Sequence, residues 1–498
     1  MKLLKFKFLL IVVLFLGCED DFLVEYPTAY ITPKQIADVS EINPGLQSAT
    51  VAGIYENMFK VGADGYDDSY SFAQKAQDIF TDMLSGDMVL AGKNYGWYSS
   101  ISELTPTVTY TSSINYRAWR YYFRIINLAN IVIDGLGGDE ATPETTEGKH
   151  FMGQALAMRA YGYLYLSQLY ADKYDPNKEI LPIYRDTATP NQAKSKTSDV
   201  FALMISDLTT AISLLSDFTR GGTNEVNADV ANGLLAYVYA QMGDYANAKS
   251  AAAAVVTGGN FPISTADEVS YDGAGDTVGG FNDVSAMSGA MWGTDLTTDN
   301  KIGLYSFWGQ IDIFSYSYAW AGDGKVIDES LYSQIAADDI RLDWWSGNTA
   351  SWAYLHPIGK FWDDDRVVGG QRTVTADYIY MRVAEMYLLH AEASAKTGDE
   401  TSAKTSLKAL LAERVGDSSY VDALSGQALL DEIYLQTRIE MWGEGKSYFA
   451  MKRNQATITR GANWLDYAGD SFSYDDDKLT YEIPEAEIRD NPLINDQN

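Results

Sequence analysis

Apolar residues recur at helical spacing over most of the chain. In residues 197–218, Val200, Leu203, Met204, Leu208, Ala211, Ile212 and Leu215 share one face behind a Thr197/Ser198 cap and Asp199. Residues 116–136 and 153–172 are apolar nearly all round, as a buried helix is, and the first stops before Gly137 and Gly138. From about residue 40 to 135 the pattern is helical apart from a polar, Gly-containing stretch at 85–115. Helical period returns in the last third through Glu440, and a Pro- and Asn-rich tail follows.

Two segments repeat one another. Ala236, Ala240, Gly243, Asp244, Ala248 and Lys249 of residues 236–256 match Ala391, Ala395, Gly398, Asp399, Ala403 and Lys404 of residues 391–411. Small side chains let helices cross closely, and Gly tolerates a left-handed helix end, so the pattern predicts two helix pairs of tetratricopeptide type. Between the repeats, residues 257–380 are rich in Gly, Asp, Trp, Tyr and Ser and lose the period; short strands are expected at 302–308 and 378–382. A loop region this long in a compact protein is usually functional. The expected fold is mainly α: helix pairs as scaffold, with a large loop-rich, minor-β face.

The N-terminus is organised differently. Lys2, Lys5 and Lys7 precede an apolar run from Phe8 to Leu16, then Gly17 and Cys18. The run is about half of the 20 or so residues that span a bilayer, so residues 1–17 are expected to be a removable signal. Cys18 is the only cysteine, so it has no internal disulfide partner. Leu14-Phe15-Leu16-Gly17-Cys18 resembles a lipobox, which makes Cys18 the expected lipid attachment point. Residues 18–40 then form a linker, and residues 41–498 a single domain. Two or more acyl chains, at about 0.8 kcal/mol per buried methylene, hold a protein at a membrane where one does not.

Composition narrows the function. A net charge of −31 argues against nucleic acid and against broad adhesion to anionic lipid, leaving the lipid anchor as the one membrane contact. His150, His356 and His390 lie far apart, outside metal-ligand spacing. Asp363-Asp364-Asp365 lacks a Gly-punctuated loop, so a solvated turn is the better reading than structural calcium, and no cofactor is expected. Glu440 and Glu444, one turn apart beside Trp442, invite comparison with a glycosidase pair, but such carboxylates flank the sugar from opposite sides. Arg438 and Lys446 are the expected salt-bridge partners.

With 35 Tyr and 11 Trp, aromatic binding surfaces are the direction the composition sets. A sugar ring lays its C–H face on an aromatic face, and its hydroxyls need polar neighbours. Asn94, Tyr95, Trp97 and Tyr98 in one Gly-containing loop, with Trp292, Asp295, Trp308, Gln310, Tyr318 and Trp320 in the aperiodic region, are the candidate ligand-binding residues.

These segments together resemble the SusD/RagB family of surface nutrient-binding lipoproteins. The resemblance rests on Cys18 followed by Asp21-Phe22-Leu23 and Pro27-Thr28, and on Arg382, Ala384, Glu385, Tyr387 and Leu388. It continues through Arg438, Glu440, Glu444, Gly445, Phe449 and Arg453, and closes on Ile483, Pro484, Glu487, Asn491 and Pro492. Ser447 and Ala450 stand where the family commonly carries Arg and Asp. The cluster Glu19-Asp20-Asp21 resembles the surface-export signal of Bacteroidetes lipoproteins. The resemblance implies a non-catalytic, surface-exposed outer-membrane lipoprotein that sits over a TonB-dependent, SusC-like transporter. It would capture oligosaccharides, or in some members peptides, and hand them to the channel.

Overall fold

The computed structural model describes residues 45–271, 279–363 and 366–498. The expected signal, Cys18, the expected linker, Asp364 and Asp365 lie outside the described residues. Eleven of the described helices build the scaffold: α1 Gly45–Glu56, α2 Gln74–Leu84, α3 Ser113–Gly135, α4 Thr146–Leu169, α5 Thr197–Leu214, α6 Ala228–Met242, α7 Tyr245–Gly258, α8 Val383–Lys396, α9 Glu400–Leu411, α10 Gln427–Glu440 and α11 Ser447–Arg453. From α3 to α9 each helix packs against the next, and α7 meets α8 although residues 259–382 intervene in sequence. Four antiparallel ladders punctuate the loops: β1 Met88–Leu90 with β5 Lys325–Ile327, β2 Glu179–Leu181 with β3 Ser195–Lys196, β4 Ala290–Thr294 with β6 Tyr378–Arg382, and β7 Thr457–Thr459 with β8 Ser471–Ser473. The fold is mostly helical, with only small sheets.

The repeat is two equivalent helix pairs, α6/α7 and α8/α9. Gly243 and Gly398 end the first helix of each at φ 77° and 81°, where a Cβ would be strained. The next residue caps the second helix: Asp244 accepts the Asn247 N–H at 3.2 Å, and Asp399 the Ser402 N–H at 3.1 Å. Lys249 of the first pair reaches Asp399 of the second at 2.5 Å, so the matched residues also join the two units. Ala236, Ala240, Ala248, Ala391 and Ala403 are buried, whereas Ala395 is only half-buried. Ala240→Leu should therefore overpack its crossing and cost about 1–3 kcal/mol, and Ala395→Leu should cost less. Denaturant melts of both variants check this; equal, unchanged stability would remove the alanines from the crossings.

Two local expectations need correction. Thr197 is the first residue of α5 rather than its cap, because its hydroxyl donates to the Lys178 carbonyl at 2.9 Å and ties α5 to the β2–β3 ladder. Residues 302–308 form no ladder: the chain turns into a short helix, Phe307–Ile311, capped by Ser306, whose Oγ accepts the Gly309 N–H at 3.0 Å.

The segment between α7 and α8 is fastened to the scaffold by buried charge. Glu440 meets Arg341 at 3.2 Å, Arg382 at 2.9 Å and Arg414 at 3.0 Å, while Glu444 meets Arg382 at 2.7 Å and Lys360 at 2.8 Å. Arg341 and Lys360 come from the inserted segment. Burial pushes the Glu444 carboxyl up, but Arg382 and Lys360 outweigh it and bring it down to about 2. Burial likewise opposes ionisation of Glu440, and Arg414, Arg382 and Arg341 still hold it well below the usual range. The expected partners are elsewhere: Arg438 pairs with Asp87 at 2.6 Å, and Lys446 donates to the Tyr380 carbonyl at 2.9 Å. Held ionised by cations, neither glutamate is suited to donate a proton as a glycosidase acid must.

Candidate functional site

The β1–β5 ladder sets two loops side by side. Leu90 pairs with Lys325, and beyond that pair the Ala91 N–H donates to the Gly324 carbonyl at 2.8 Å. Residues 91–98 leave β1 and residues 312–324 lead into β5, so both loops emerge from the same ladder end. Asp323, fully buried, ties them together: its carboxylate accepts the backbone N–H of Asn94 at 2.5 Å and of Tyr95 at 2.9 Å. The Asn94 amide donates to the Ala321 carbonyl at 2.8 Å. Gly322 sits at φ 106°, and a Cβ there would strike the Asn94 side chain, so the close approach of the loops requires glycine. Beneath them Lys325 is buried, its ammonium donating to Gln310 at 2.5 Å and lying 4.4 Å from the centre of the Tyr98 ring. Burial pushes it down to about 7.

Aromatic rings crown this base. Tyr318 meets Tyr95 edge-on at 5.4 Å and Trp97 at 5.9 Å, and Trp97 rests on Tyr70 at 5.0 Å. Two residues along the same turn, Trp320 stands 6.1 Å from Tyr316, whose ring is covered by the Arg372 guanidinium at 4.5 Å. Tyr95 is 64% exposed and Trp320 40%, whereas Trp97 and Tyr318 are half-buried, with part of each ring available. Asn94, Tyr95, Trp97, Tyr318 and Trp320 are thus brought together, as a rigidly backed platform of stacking faces with hydrogen-bonding edges.

Five candidates do not join it. Tyr98 is fully buried in a left-handed turn, packed on Tyr70 and Phe80. Trp292 is buried in β4, its indole N–H donating to the Asn224 carbonyl at 2.7 Å. Trp308 is buried against Phe307 and Phe361, and Gln310 is buried beneath the loops. Asp295 is exposed beyond β4, whose ladder partner is β6 rather than β1 or β5. Trp292 and Trp308 are buried for one reason, since the inserted segment builds its own aromatic core.

Sequence reading missed Asp323, Tyr316 and Trp352. The last is 63% exposed on the polar loop 347–352, packed on His356 at 5.9 Å. The Ser-Gly-Asn-Thr-Ala-Ser run before it was the available signal. His356 is buried, His150 pairs with Asp217 at 2.9 Å and His390 with Ser406 at 2.7 Å. Asp363 is buried, accepting from Gln371 at 2.8 Å, and among the described residues no His, Cys, Asp and Glu cluster is arranged to hold a metal.

A stack of helix pairs displaying an aromatic loop platform defines a binding scaffold, and comparison with known families agrees. The model of the SusD family matches residues 339–498, and a second SusD-like model, described as starch-binding associating with outer membrane, matches residues 52–240. The chain belongs to the SusD/RagB family. No curated protein matches it. Among solved structures, a SusD-like carbohydrate binding protein from Bacteroides vulgatus shares 23% identity over 91% of this chain and 97% of that one, with a TM-score of 0.73. A SusD superfamily protein from Bacteroides thetaiotaomicron shares 22% over 91% and 98%, at 0.73. Surface glycan-binding protein A from Bacteroides thetaiotaomicron, solved with laminarihexaose, shares 15% over 91% and 98%, at 0.67. At these identities the likeness is one of fold. No helix of the described residues is long and apolar enough to cross a membrane.

Proposed function

We propose that this protein is a surface lipoprotein that captures oligo- or polysaccharide on the Asn94, Tyr95, Trp97, Tyr318 and Trp320 face and delivers it, unaltered, to a TonB-dependent transporter of SusC type. The observation that carries the reading is the platform itself: exposed rings on two loops that Asp323 and the β1–β5 ladder hold in fixed relation. Preorganised loops lose little freedom on binding, which suits weak but selective capture. The starch-binding, outer-membrane description of the matching family model and the laminarihexaose complex of a structural relative support carbohydrate as the ligand class. The test is calorimetric titration of the mature protein against plant, fungal and host polysaccharides, with chromatography of the sugar afterwards. Binding of at least one with its chain length unchanged is expected. Shortened products, absent from a boiled control, would turn the reading to a glycoside hydrolase, and binding of peptides alone would turn it to a peptide carrier.

Anchoring rests on Cys18 and the signal pattern before it. Cys18→Ser should leave the protein soluble or unprocessed. Mutant protein that stays in the outer-membrane fraction through salt and alkaline washing would rule out the thioether anchor.

A further inference from the structure

Outside the platform, α3 presents Arg120 and Arg124 to solvent one helical turn apart. Among the described residues neither is in an ion pair, and the one hydrogen bond between them runs from Arg124 to the Ala63 carbonyl at 3.3 Å. Their neighbour Arg117 shows the contrast: it is buried and grips both oxygens of Asp68 at 2.7 Å. In a chain with 68 acidic and 37 basic residues, two adjacent unmatched guanidinium groups are unusual. They line a groove of about 530 Å³ between α3 and residues 184–189, within the usual ligand-site range of roughly 300–1,000 Å³. Phe123 and Tyr184 meet edge-to-face at 5.9 Å on its wall, and Asn127 lies at its rim. Two carboxylates also border it, both already engaged: Asp186 accepts from the Ala188 N–H at 2.8 Å and the Thr189 N–H at 2.6 Å, and Glu487 accepts from Trp119 at 3.2 Å and Asn491 at 2.8 Å. The groove also neighbours the platform. Arg120 abuts Gly65, and the same loop carries Tyr70, on which Trp97 rests.

We propose that this groove is a second binding site, for the carboxylate-bearing ring of an acidic sugar. A guanidinium is a planar fork matched to a carboxylate, and two of them here have no internal anion to hold. The aromatic wall offers a face to the ring, and Asn127 an edge to its hydroxyls. Asp186 and Glu487 keep their charge at the border of the groove and are offset there by the two arginines, while repulsion from the rest of the negative chain is largely screened beyond about 8 Å at physiological salt. A peptide is the weaker match, because the groove is walled by a helix and a turn and offers no open strand edge for backbone pairing.

The mature protein is titrated at low salt with trigalacturonic acid and trimannuronic acid, with their neutral methyl esters, and with polyglutamate. The wild type should bind a uronate and not its ester, and Arg120→Gln/Arg124→Gln should weaken that binding at least about tenfold with unchanged melting, both residues being exposed. Trp97→Ala/Trp320→Ala should retain it, which separates this site from the platform: loss of neutral-glycan binding alone strikes the earlier reading and leaves this one standing. The proposal is overturned if neither uronate binds at millimolar concentration, if the arginine variant or the ester binds as the wild type does, if the tryptophan variant abolishes uronate binding, or if polyglutamate binds at least as tightly.

Discussion

Glu440→Gln should lower the unfolding free energy by about 3–5 kcal/mol, the cost of breaking a buried ion network by removing one partner. The amide has nearly the shape of the carboxylate, so packing is kept, but Arg341, Arg382 and Arg414 are left facing a neutral group with no solvent to replace the lost charge. For a typical margin of about 5–15 kcal/mol that is a large fraction of total stability. Because Arg341 belongs to the inserted segment, hydrogen exchange there should rise along with the global loss. Denaturant unfolding checks the magnitude; a loss below about 1 kcal/mol would mean that the three arginines are satisfied without Glu440. The same network sets an acid limit. Glu444, brought down to about 2 in the folded state by its cations against the opposing effect of burial, has an ordinary value of 4.5. A carboxyl with a depressed folded value contributes its full stabilisation above the unfolded value and loses it as pH falls through the folded one. Glu392, where burial is likewise outweighed, by Arg453 and Lys396, is also brought to about 2. Stability should therefore decline between about pH 4.5 and about pH 2, read as a falling denaturation midpoint.

What the sequence disclosed, and what it hid, follows from how local each signal is. The helix pairs were legible because Ala, Gly and Asp at fixed offsets act within one turn of where they stand; Gly243, Asp244 and their counterparts Gly398 and Asp399 do what their positions imply. The carboxylate network was legible only in kind. Arg341 reaches Glu440 across 99 residues and Lys360 reaches Glu444 across 84, and no local spacing encodes such pairs, so nearby Arg438 and Lys446 were named instead. α2 shows the same limit: Lys75, Asp78 and Asp82 are fully buried because Lys75 pairs with Asp78 at 2.8 Å and Asp82 accepts the distant Gly443 N–H at 2.5 Å. In the inserted segment the period itself is missing. Without it, a Trp amid Gly and Asp reads alike whether it points inward, as Trp292 and Trp308 do, or outward, as Trp320 and Trp352 do. Composition marks the aromatic-rich region, and only the ladder and Asp323 sort its rings into buried core and exposed platform.

Replacing both Trp97 and Trp320 by Ala should abolish measurable glycan binding, while either replacement alone weakens it about ten- to a hundredfold. A binder that must release its cargo to a transporter works in the micromolar-to-millimolar range, about 4–8 kcal/mol of binding free energy. By analogy with base stacking on aromatic side chains, each ring supplies roughly 1–3 kcal/mol of that. Two rings therefore account for much of the total, and the remaining hydrogen bonds to Asn94 and the tyrosine hydroxyls cannot hold the ligand alone. The two positions differ in what else they do. Trp320 is 40% exposed, and its removal should leave melting unchanged. Trp97 also covers Tyr70 at 5.0 Å, so its loss should lower the melting temperature slightly as well as weaken binding. Trp97→Phe keeps that cover and serves as the control, recovering stability fully and affinity in part. Isothermal titration of the four variants against the best ligand from the polysaccharide screen, alongside thermal melts, reads both effects. Wild-type affinity in both single Ala variants would remove these rings from the site and leave the Asp323-braced loops without the role assigned to them.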